Sequence, residues 1–367
     1  MKKIPSILIS ILFTLILMLG SILLLILPKE TYSEAERRPL STPPSVSLDT
    51  LLDGRFFSEL DTYMADHFPG REFFRMMKAV WQKDVLKEWE NNGYVLFEGS
   101  IIKLEKQVNT ASLAYAGERF QAVYEQYLKN SDCRLYAAVI PDKSFFLSAE
   151  GFPVMDFSDM ENRFADSIPG AEYISLKDSL TLEDYYRTDS HWRQDRLLPA
   201  AETLLLAMGA AAPEEESAFQ IETYAPFTGV YAKQAAFPYE PESIQYLTGT
   251  YLDQLEVRDY DTSTVIPVYD PENCDPRDAY TLFLGGAKAF LRLENPNAKT
   301  DRNLVVFRDS FGSSIAPLLA GSYRSVTLID LRYISRDFIR RYMRFTNQDV
   351  LFLYSATLLN NSQGLIE

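Results

Sequence analysis

Two short segments of the chain carry side chains that could perform acyl transfer together. Residues 189–192 read Asp-Ser-His-Trp, and this histidine is one of only two in the sequence. A carboxylate two positions before an imidazole can accept a hydrogen bond from one ring nitrogen, which leaves the other nitrogen free to take a serine proton. Residues 309–312 read Asp-Ser-Phe-Gly and follow a continuous apolar run. We therefore predict Ser310 as a nucleophile, His191 as its base and Asp189 as the group that orients the base.

The position of Ser310 relative to the predicted elements supports this role. Residues 304–307 form an apolar strand and a helix begins near Gly312, so the serine falls at a strand end, where α/β proteins bind ligands. The free amides of the helix N-terminus could stabilise an oxyanion, and the glycine permits close backbone approach. Alternatively, Ser310 is only a helix N-cap assisted by Asp309, and His191 is a surface or capping histidine. The joint presence of both segments favours the triad.

Other side chains are candidates for the lining of such a site. Lys143 follows a Pro-Asp pair at the end of a predicted strand, where it either lines the site or is solvated. Tyr186 and Trp192 flank the Asp-x-His element and could stack on sugar rings, although core packing is an equal alternative. The other histidine, His67, precedes a Phe-Pro pair that should end a helix, and we interpret it as a structural contact near Arg71.

The elements that must position these residues alternate between apolar strands and amphipathic helices. Continuous apolar runs separated by helical patterns indicate a parallel sheet covered on both faces, which is a three-layer α/β sandwich. The stretch 210–286 is irregular and rich in Tyr, Pro and acidic residues, so we expect an insertion there with some antiparallel strands. The predicted strands are 135–140, 173–176, 304–307, 326–331 and 350–354, and the predicted helices are 112–129, 197–208, 312–319 and 336–345.

The N-terminus carries the pattern of a membrane-spanning helix. Residues 7–27 are uncharged and would span about 31 Å as a helix, which matches a hydrocarbon core of ~30 Å. Lys2 and Lys3 precede this run, so the positive-inside rule places the N-terminus in the cytoplasm. We predict a signal anchor and cytoplasmic stub over 1–28, a linker over 29–50 and an extracytoplasmic domain over 51–367. A cleaved signal peptide is the alternative and leaves the compartment unchanged.

Composition excludes several classes of function. The net charge of −15 argues against nucleic acid as a partner, because phosphate binding needs a Lys/Arg surface. Cys133 and Cys274 are the only cysteines, and they form either one disulfide or two isolated thiols. Neither cysteine stands in a metal-binding pattern with the two histidines, so we expect no metal site.

Five segments together resemble the DHHW family, a group related to the SGNH hydrolases and to the periplasmic alginate O-acetyltransferases. Their order and joint presence carry the resemblance, which covers nearly the whole chain beyond the apolar helix. It implies a permuted SGNH-hydrolase-like fold in which Asp-x-His precedes the serine, as it does here. The segments are 33–40 (Ser-Glu-Ala-Glu-Arg-Arg-Pro-Leu), 66–71 (Asp-His-Phe-Pro-Gly-Arg), 186–192 (Tyr-Arg-Thr-Asp-Ser-His-Trp), 308–312 (Arg-Asp-Ser-Phe-Gly) and 330–333 (Asp-Leu-Arg-Tyr).

The resemblance implies the same three catalytic roles for Ser310, His191 and Asp189. The chain has Ser190 where the family's namesake motif has its second histidine, and that position is not the implied base. The glycine and asparagine that donate to the oxyanion in SGNH enzymes have no clear counterpart. Gly285 and Gly286 are candidates for the glycine, although no asparagine follows them at once.

These observations predict an O-acyltransferase, with acetyl as the expected group, at the outer face of the cell membrane. The acceptor would be a hydroxyl of a cell-surface or secreted polysaccharide. The resemblance implies that a multipass membrane O-acyltransferase partner supplies the acyl group, and it implies no metal or organic cofactor. Two alternatives remain open: a carbohydrate O-acetyl esterase with the same triad, and a non-catalytic glycan-binding component of an export complex.

Overall fold

The computed structural model describes residues 3–33, 35–36, 38–275 and 278–366. The chain divides into two compact units. The first contains Met1–Leu96 and Val230–Tyr239, and the second contains Phe97–Gly229 and Glu240–Glu367. Residues 51–96, which we predicted as part of the extracytoplasmic domain, therefore group with the N-terminal segments.

The helices and strands are numbered along the chain. The α-helices are α1 (Lys3–Ile26), α2 (Leu48–Leu52), α3 (Arg55–Asp66), α4 (Arg71–Val80), α5 (Thr110–Val123), α6 (Phe157–Asp166), α7 (Leu198–Ala207), α8 (Val230–Ala235), α9 (Gly312–Ala320), α10 (Arg336–Ile339) and α11 (Ala356–Leu359). The strands are β1 (Tyr32–Ser33), β2 (Arg38–Pro39), β3 (Glu90–Asn91), β4 (Tyr94–Phe97), β5 (Ser100–Lys103), β6 (Arg134–Ile140), β7 (Glu172–Tyr173), β8 (Gln220–Phe227), β9 (Glu242–Thr248), β10 (Glu256–Asp259), β11 (Thr264–Ile266), β12 (Phe290–Glu294), β13 (Asn303–Arg308), β14 (Ser325–Ile329) and β15 (Asp349–Ser355).

The first unit begins with the apolar helix α1. Its segment Ile7–Ile26 is 20 residues long and apolar enough to cross a membrane. At ~1.5 Å per residue this length corresponds to about 30 Å, the thickness of a hydrocarbon core. The helix is therefore compatible with the predicted single-pass anchor.

A buried carboxylate organises the chain that follows α1. Asp66, at the end of α3, accepts hydrogen bonds from the Arg38 guanidinium at 3.0 and 2.5 Å and from the Ser41 amide at 2.9 Å. The Arg38 hydrogen bonds hold the pKa of this carboxyl well below its usual range. The adjacent His67 uses Nε2 to contact the Ser41 carbonyl oxygen at 2.9 Å. His67 thus has a structural environment, in which its ring also packs at a tilt against Tyr63.

The second unit is built on a mixed sheet in the order β11-β10-β12-β14-β13-β15-β6-β7. Strands β14, β13, β15, β6 and β7 are parallel to one another, and β12, β10 and β11 extend the sheet as antiparallel neighbours. The predicted α/β class with a mostly parallel sheet is confirmed.

Both faces of this sheet are buried, as the continuous apolar runs indicated. Val306 and Leu351 enter a core with α7 and α9, whereas Val305 and Phe352 enter a second core with α5, α6 and α11. Successive side chains of a strand point to opposite faces, so a strand between two helical layers must be apolar at every position. The arrangement is the predicted three-layer sandwich.

The structure differs from the sequence prediction at three places in this unit. The predicted strand 173–176 is reduced to the two-residue β7 (Glu172–Tyr173). Within 210–286, β8 and β9 form an antiparallel pair, but β10 and β11 belong to the main sheet rather than to a separate insertion. The predicted helix 336–345 ends at Ile339, because the chain turns there and packs Met343 and Phe345 against the sheet.

Candidate active site

Ser310 lies in the short turn between β13 and α9, at the C-terminal edge of the parallel strands. The turn is fixed by the carboxylate of Asp309, whose Oδ1 accepts the Phe311 amide at 3.0 Å. Its Oδ2 accepts the amide and the hydroxyl of Ser355 at 2.9 and 2.6 Å, which joins the turn to the end of the neighbouring β15. Asp309 therefore holds the backbone that carries Ser310, and its two oxygens are occupied in doing so.

The structure brings the three residues of the predicted triad into one chain of hydrogen bonds. His191 Nε2 lies 2.7 Å from Ser310 Oγ, and His191 Nδ1 lies 2.6 Å from Asp189 Oδ1. The same Oδ1 accepts the main-chain N–H of His191 at 3.0 Å. The Asp189 carboxylate is buried, whereas Ser310 and His191 are half-buried. The proton path from hydroxyl to imidazole is therefore formed without any rearrangement.

The imidazole is held between two aromatic rings. Tyr280 stacks on His191 with ring centroids 3.9 Å apart and an interplanar angle of 15°, and Phe311 lies 4.7 Å away on a tilt of 41°. The Tyr280 hydroxyl donates to Ser314 Oγ at 2.7 Å in α9. Burial raises the pKa of Tyr280 well above its usual range, so its proton stays in that hydrogen bond. Nothing in the sequence indicated this tyrosine, because it comes from a loop far from both motifs.

Trp192 and Tyr186 are buried, which corrects the prediction that they line the site. Trp192 is 0% exposed, and its indole N–H donates to the Phe311 carbonyl at 3.1 Å and to Ser314 Oγ at 2.8 Å. Tyr186 is 1% exposed and packs edge-on against Phe227. Neither ring has a face free for a sugar. Trp192 instead ties the histidine segment to the start of α9.

Lys143 is also buried, which corrects the prediction that it lines the site or is solvated. Its ammonium group, on a residue 2% exposed, donates to the carbonyls of Ile101, Tyr186 and Asp189 at 2.6, 2.8 and 3.1 Å. Burial lowers the pKa of Lys143 to about 7. The lysine lies beneath the segment that carries the aspartate of the triad.

A cavity of about 580 Å³ opens beside the triad. Its lining comes from the two catalytic segments, from Arg332, and from the end of β15 and the chain that follows it. Its lining residues are Ser190, His191, Asp309, Ser310, Phe311, Arg332, Ser355, Thr357, Leu358, Asn361, Gln363 and Gly364.

Arg332 contributes a cation to this cavity. Its Nε and Nη2 donate to the two oxygens of Asp330 at 2.9 and 2.6 Å. Burial lowers the pKa of the guanidinium, but the Asp330 hydrogen bonds outweigh that effect and raise it. The segment 330–333 is one of the five that carry the family resemblance, but the sequence analysis assigned no function to Arg332.

The predicted glycines lie at positions where the backbone is tightly packed or turns. A Cβ on Gly312 would lie 2.7 Å from Arg308 Cβ, so this glycine allows α9 to begin directly against that side chain. Gly285 and Gly286 have φ of +68° and +81° and form a turn. Neither of these two glycines is among the described residues that line the cavity, which corrects their assignment as oxyanion donors. None of the described residues accepts the Ser310 main-chain N–H.

The described residues contain neither a disulfide nor a cluster of metal-binding side chains. Cys133 and Cys274 are both free thiols, so the disulfide alternative is wrong. Across the described ranges there is no group of three or more His, Cys, Asp and Glu side chains that could hold a metal ion.

The three-layer sandwich on a mostly parallel sheet, with a serine at the end of a strand, is the fold class that the SGNH-hydrolase resemblance predicted. Comparison with solved structures agrees. A DHHW family protein from Eubacterium siraeum DSM 15702 superposes with a TM-score of 0.60 at 20% identity, over 75% of this chain and 95% of that chain. PatB1 from Bacillus cereus, in a structure with a sulfonyl adduct, gives a TM-score of 0.56 at 19% identity, over 72% and 97%.

A more distant match is the O-acetyltransferase domain of Pseudomonas putida AlgJ, with a TM-score of 0.42 at 14% identity, over 73% of this chain and 92% of that one. No protein-family model and no curated protein sequence matches the chain significantly. The predicted fold relation to the DHHW family is confirmed by the first two of these structures.

Proposed function

We propose that this protein is an O-acyltransferase that acts through Ser310, His191 and Asp189. The observation that carries the proposal is the continuous pair of hydrogen bonds, 2.7 Å from Ser310 Oγ to His191 Nε2 and 2.6 Å from His191 Nδ1 to Asp189 Oδ1. The triad acts by general-base activation of a serine and by orientation of the base through a buried carboxylate.

The reaction runs in two balanced steps. In the first, Ser310 Oγ attacks the acyl carbonyl while its proton passes to His191 Nε2, and the leaving group takes that proton as its bond to the acyl carbon breaks. In the second, an acceptor hydroxyl gives its proton to His191 and attacks the acyl-serine. The Ser310 ester bond then breaks and the serine recovers the proton. Asp189 stabilises the imidazolium in both steps.

The surroundings of the triad suit this chemistry. Tyr280 and Phe311 cover the imidazole, which limits the access of water to its faces. The main-chain N–H of Ser310, two residues before α9, has no acceptor among the described residues, so it can donate to the developing oxyanion. The dipole of α9 also favours negative charge there. The cavity of about 580 Å³ offers hydroxyl, amide and guanidinium groups that could contact sugar hydroxyls.

The acceptor and the location follow from the anchor and from the resemblance. We propose that α1 holds the protein in the cell membrane with its N-terminus in the cytoplasm and the triad outside. The acceptor is then a hydroxyl of a cell-surface or secreted polysaccharide. Because cytoplasmic acyl donors do not cross a bilayer, a multipass membrane O-acyltransferase would deliver the acyl group, with acetyl as the expected one.

A product assay separates this proposal from an esterase with the same triad. The full chain in detergent is incubated with 4-nitrophenyl acetate, with and without an oligosaccharide acceptor. The proposal predicts O-acetylated oligosaccharide at the expense of free acetate. With Ser310→Ala it predicts no O-acetylated oligosaccharide, and free acetate only at the rate of spontaneous hydrolysis. Acetate as the sole product across a panel of acceptors indicates an esterase, and turnover unchanged by Ser310→Ala contradicts the site itself.

A further inference from the structure

Three carbonyl groups of one short segment converge on a single buried cation. The segment is 186–189, which leads into His191. Lys143 Nζ lies 2.8 Å from the carbonyl oxygen of Tyr186, 3.2 Å from that of Arg187 and 3.1 Å from that of Asp189. Carbonyl dipoles that point at one place repel one another, so this backbone conformation is favourable only with positive charge at their focus. The carbonyl of Ile101, at 2.6 Å, completes the surroundings of the ammonium.

The amide side of the same segment faces a carboxylate. Glu242 accepts the main-chain N–H of Arg187 at 3.0 Å and that of Thr188 at 2.7 Å, and it also accepts the Thr188 hydroxyl. The Glu242 side chain is 9% exposed. Below its pKa of about 7, Lys143 is a cation that binds three of the carbonyls of this four-residue stretch, and the Glu242 carboxylate binds two of its amides. Such charge-assisted hydrogen bonds are the stronger kind.

The remaining carbonyl of the stretch is fixed by close packing. An added Cβ on Gly229 would lie 2.4 Å from the Thr188 carbonyl oxygen and 2.4 Å from Asp189 Cβ. The Gly229 amide donates to the Thr188 hydroxyl at 2.9 Å. The backbone before Asp189 consequently has a partner on each side and little room to move.

We propose that Lys143 and Glu242 are positioning residues that bracket segment 186–189 and thereby fix the Asp189–His191 hydrogen bond. The effect on catalysis rests on the proposed function. The bracket, meaning the contacts of Lys143 and Glu242 with segment 186–189, does not depend on it. Lys143 acts through the main chain of Asp189, and Glu242 acts through the residue before it. Neither side chain touches Ser310.

Histidine NMR tests the bracket without reference to activity. The full chain in detergent micelles is labelled with ¹⁵N-histidine, which gives ring signals from two residues alone. The wild type should show a low-field proton on His191 Nδ1, bonded to Asp189. Lys143→Met and Glu242→Gln should each weaken or abolish that signal and leave His67 unchanged. A His191 signal that keeps its position and intensity in both folded variants overturns the proposal.

Chemical rescue separates positioning from general stability. Lys143→Ala leaves space for a small ammonium ion among the four carbonyls, so methylammonium should restore the His191 signal. Tetramethylammonium, which has no N–H to donate, should not restore it. Restoration by both ions, or by neither in a variant that retains its fold by circular dichroism, contradicts the bracket. Lys129→Met, which removes an exposed lysine on the surface, is the matched control.

Activity gives the second readout and keeps the two proposals apart. With a fluorophosphonate probe, Lys143→Met and Glu242→Gln should label Ser310 about 10- to 100-fold more slowly, in line with a displacement of ~1 Å at a reacting group. Lys143→Arg, which keeps a cation, should recover part of the rate. If the NMR signals change as expected while the wild type is not labelled at Ser310, the bracket stands and the proposed function fails. Unchanged labelling rates in both variants overturn the bracket's catalytic role.

Discussion

Replacement of Gly229 by alanine should disturb the triad from outside it. The added Cβ would lie 2.4 Å from Asp189 Cβ, whereas carbon atoms in ordinary contact are ~3.5–4.0 Å apart. The shortfall is therefore about 1.1–1.6 Å. The atoms it meets belong to the backbone and to a Cβ, so no side-chain rotation can relieve the contact.

The segment before His191 must retreat, and the hydrogen bonds of 2.6 and 2.7 Å in the triad should lengthen with it. We expect Gly229→Ala to lower kcat by about 100-fold, because ~1 Å of misplacement has that effect at a reacting centre. Overpacking of this kind also lowers the free energy of unfolding by roughly 1–3 kcal/mol. KM should change less than kcat, since most of the residues that line the cavity lie outside the displaced segment.

The assay is turnover of 4-nitrophenyl acetate by the full chain, with thermal unfolding measured in parallel. Gly117→Ala is the control. Gly117 lies in α5, away from the triad, and an added Cβ would meet Ser167 Cβ at 3.0 Å. The control should alter stability slightly and leave kcat intact. Wild-type kcat in Gly229→Ala would refute the reasoning that this backbone is held rigidly.

Three further predictions follow from the environment of single side chains. Trp192→Phe removes the indole donor to Ser314 and the Phe311 carbonyl, and should lower stability by about 1–3 kcal/mol with a reduced kcat in the ester assay. Burial raises the pKa of Asp142 to about 6, so the folded chain binds this proton more tightly than the unfolded chain. Stability should fall as pH rises from about 4 to 6, by at most ~3 kcal/mol, and thermal unfolding of Asp142→Asn across that range should lack this slope. Cys133 and Cys274 are free, so reductant should leave the unfolding temperature unchanged, and a drop on reduction would contradict the structure.

The sequence predicts the parts of the site in which the chemistry requires particular residue types close together in the chain. A serine at a strand end and a carboxylate two residues from a histidine are local patterns, and both occupy the geometry they implied. Tyr280 could not be predicted, because stacking on His191 is a contact between loops distant in sequence. Glu242 was missed for the same reason, since its partners are main-chain amides that carry no sequence signal.

Burial explains the residues that were placed in the wrong environment. Aromatic residues beside a catalytic motif can face a ligand or the core, and only the packing of α9 decides that Trp192 faces the core. Lys143 does follow the end of a strand, as predicted. However, the segment 186–189 covers its ammonium group, so the side chain is buried and does not line the site. In the fold, most of the parallel strands were visible as apolar runs, whereas β10, β11 and β12 were not, because they are only three to five residues long and include polar or charged residues.

Covalent labelling of the full chain with a fluorophosphonate, followed by digestion and mass spectrometry, tests the central claim most directly. The reagent forms a bond only with an activated nucleophile, so the modified peptide names the residue. We predict modification at Ser310, its absence in Ser310→Ala, and strong slowing in His191→Gln and Asp189→Asn. Modification of a different serine, or none in the folded wild type, would contradict the assignment of this triad.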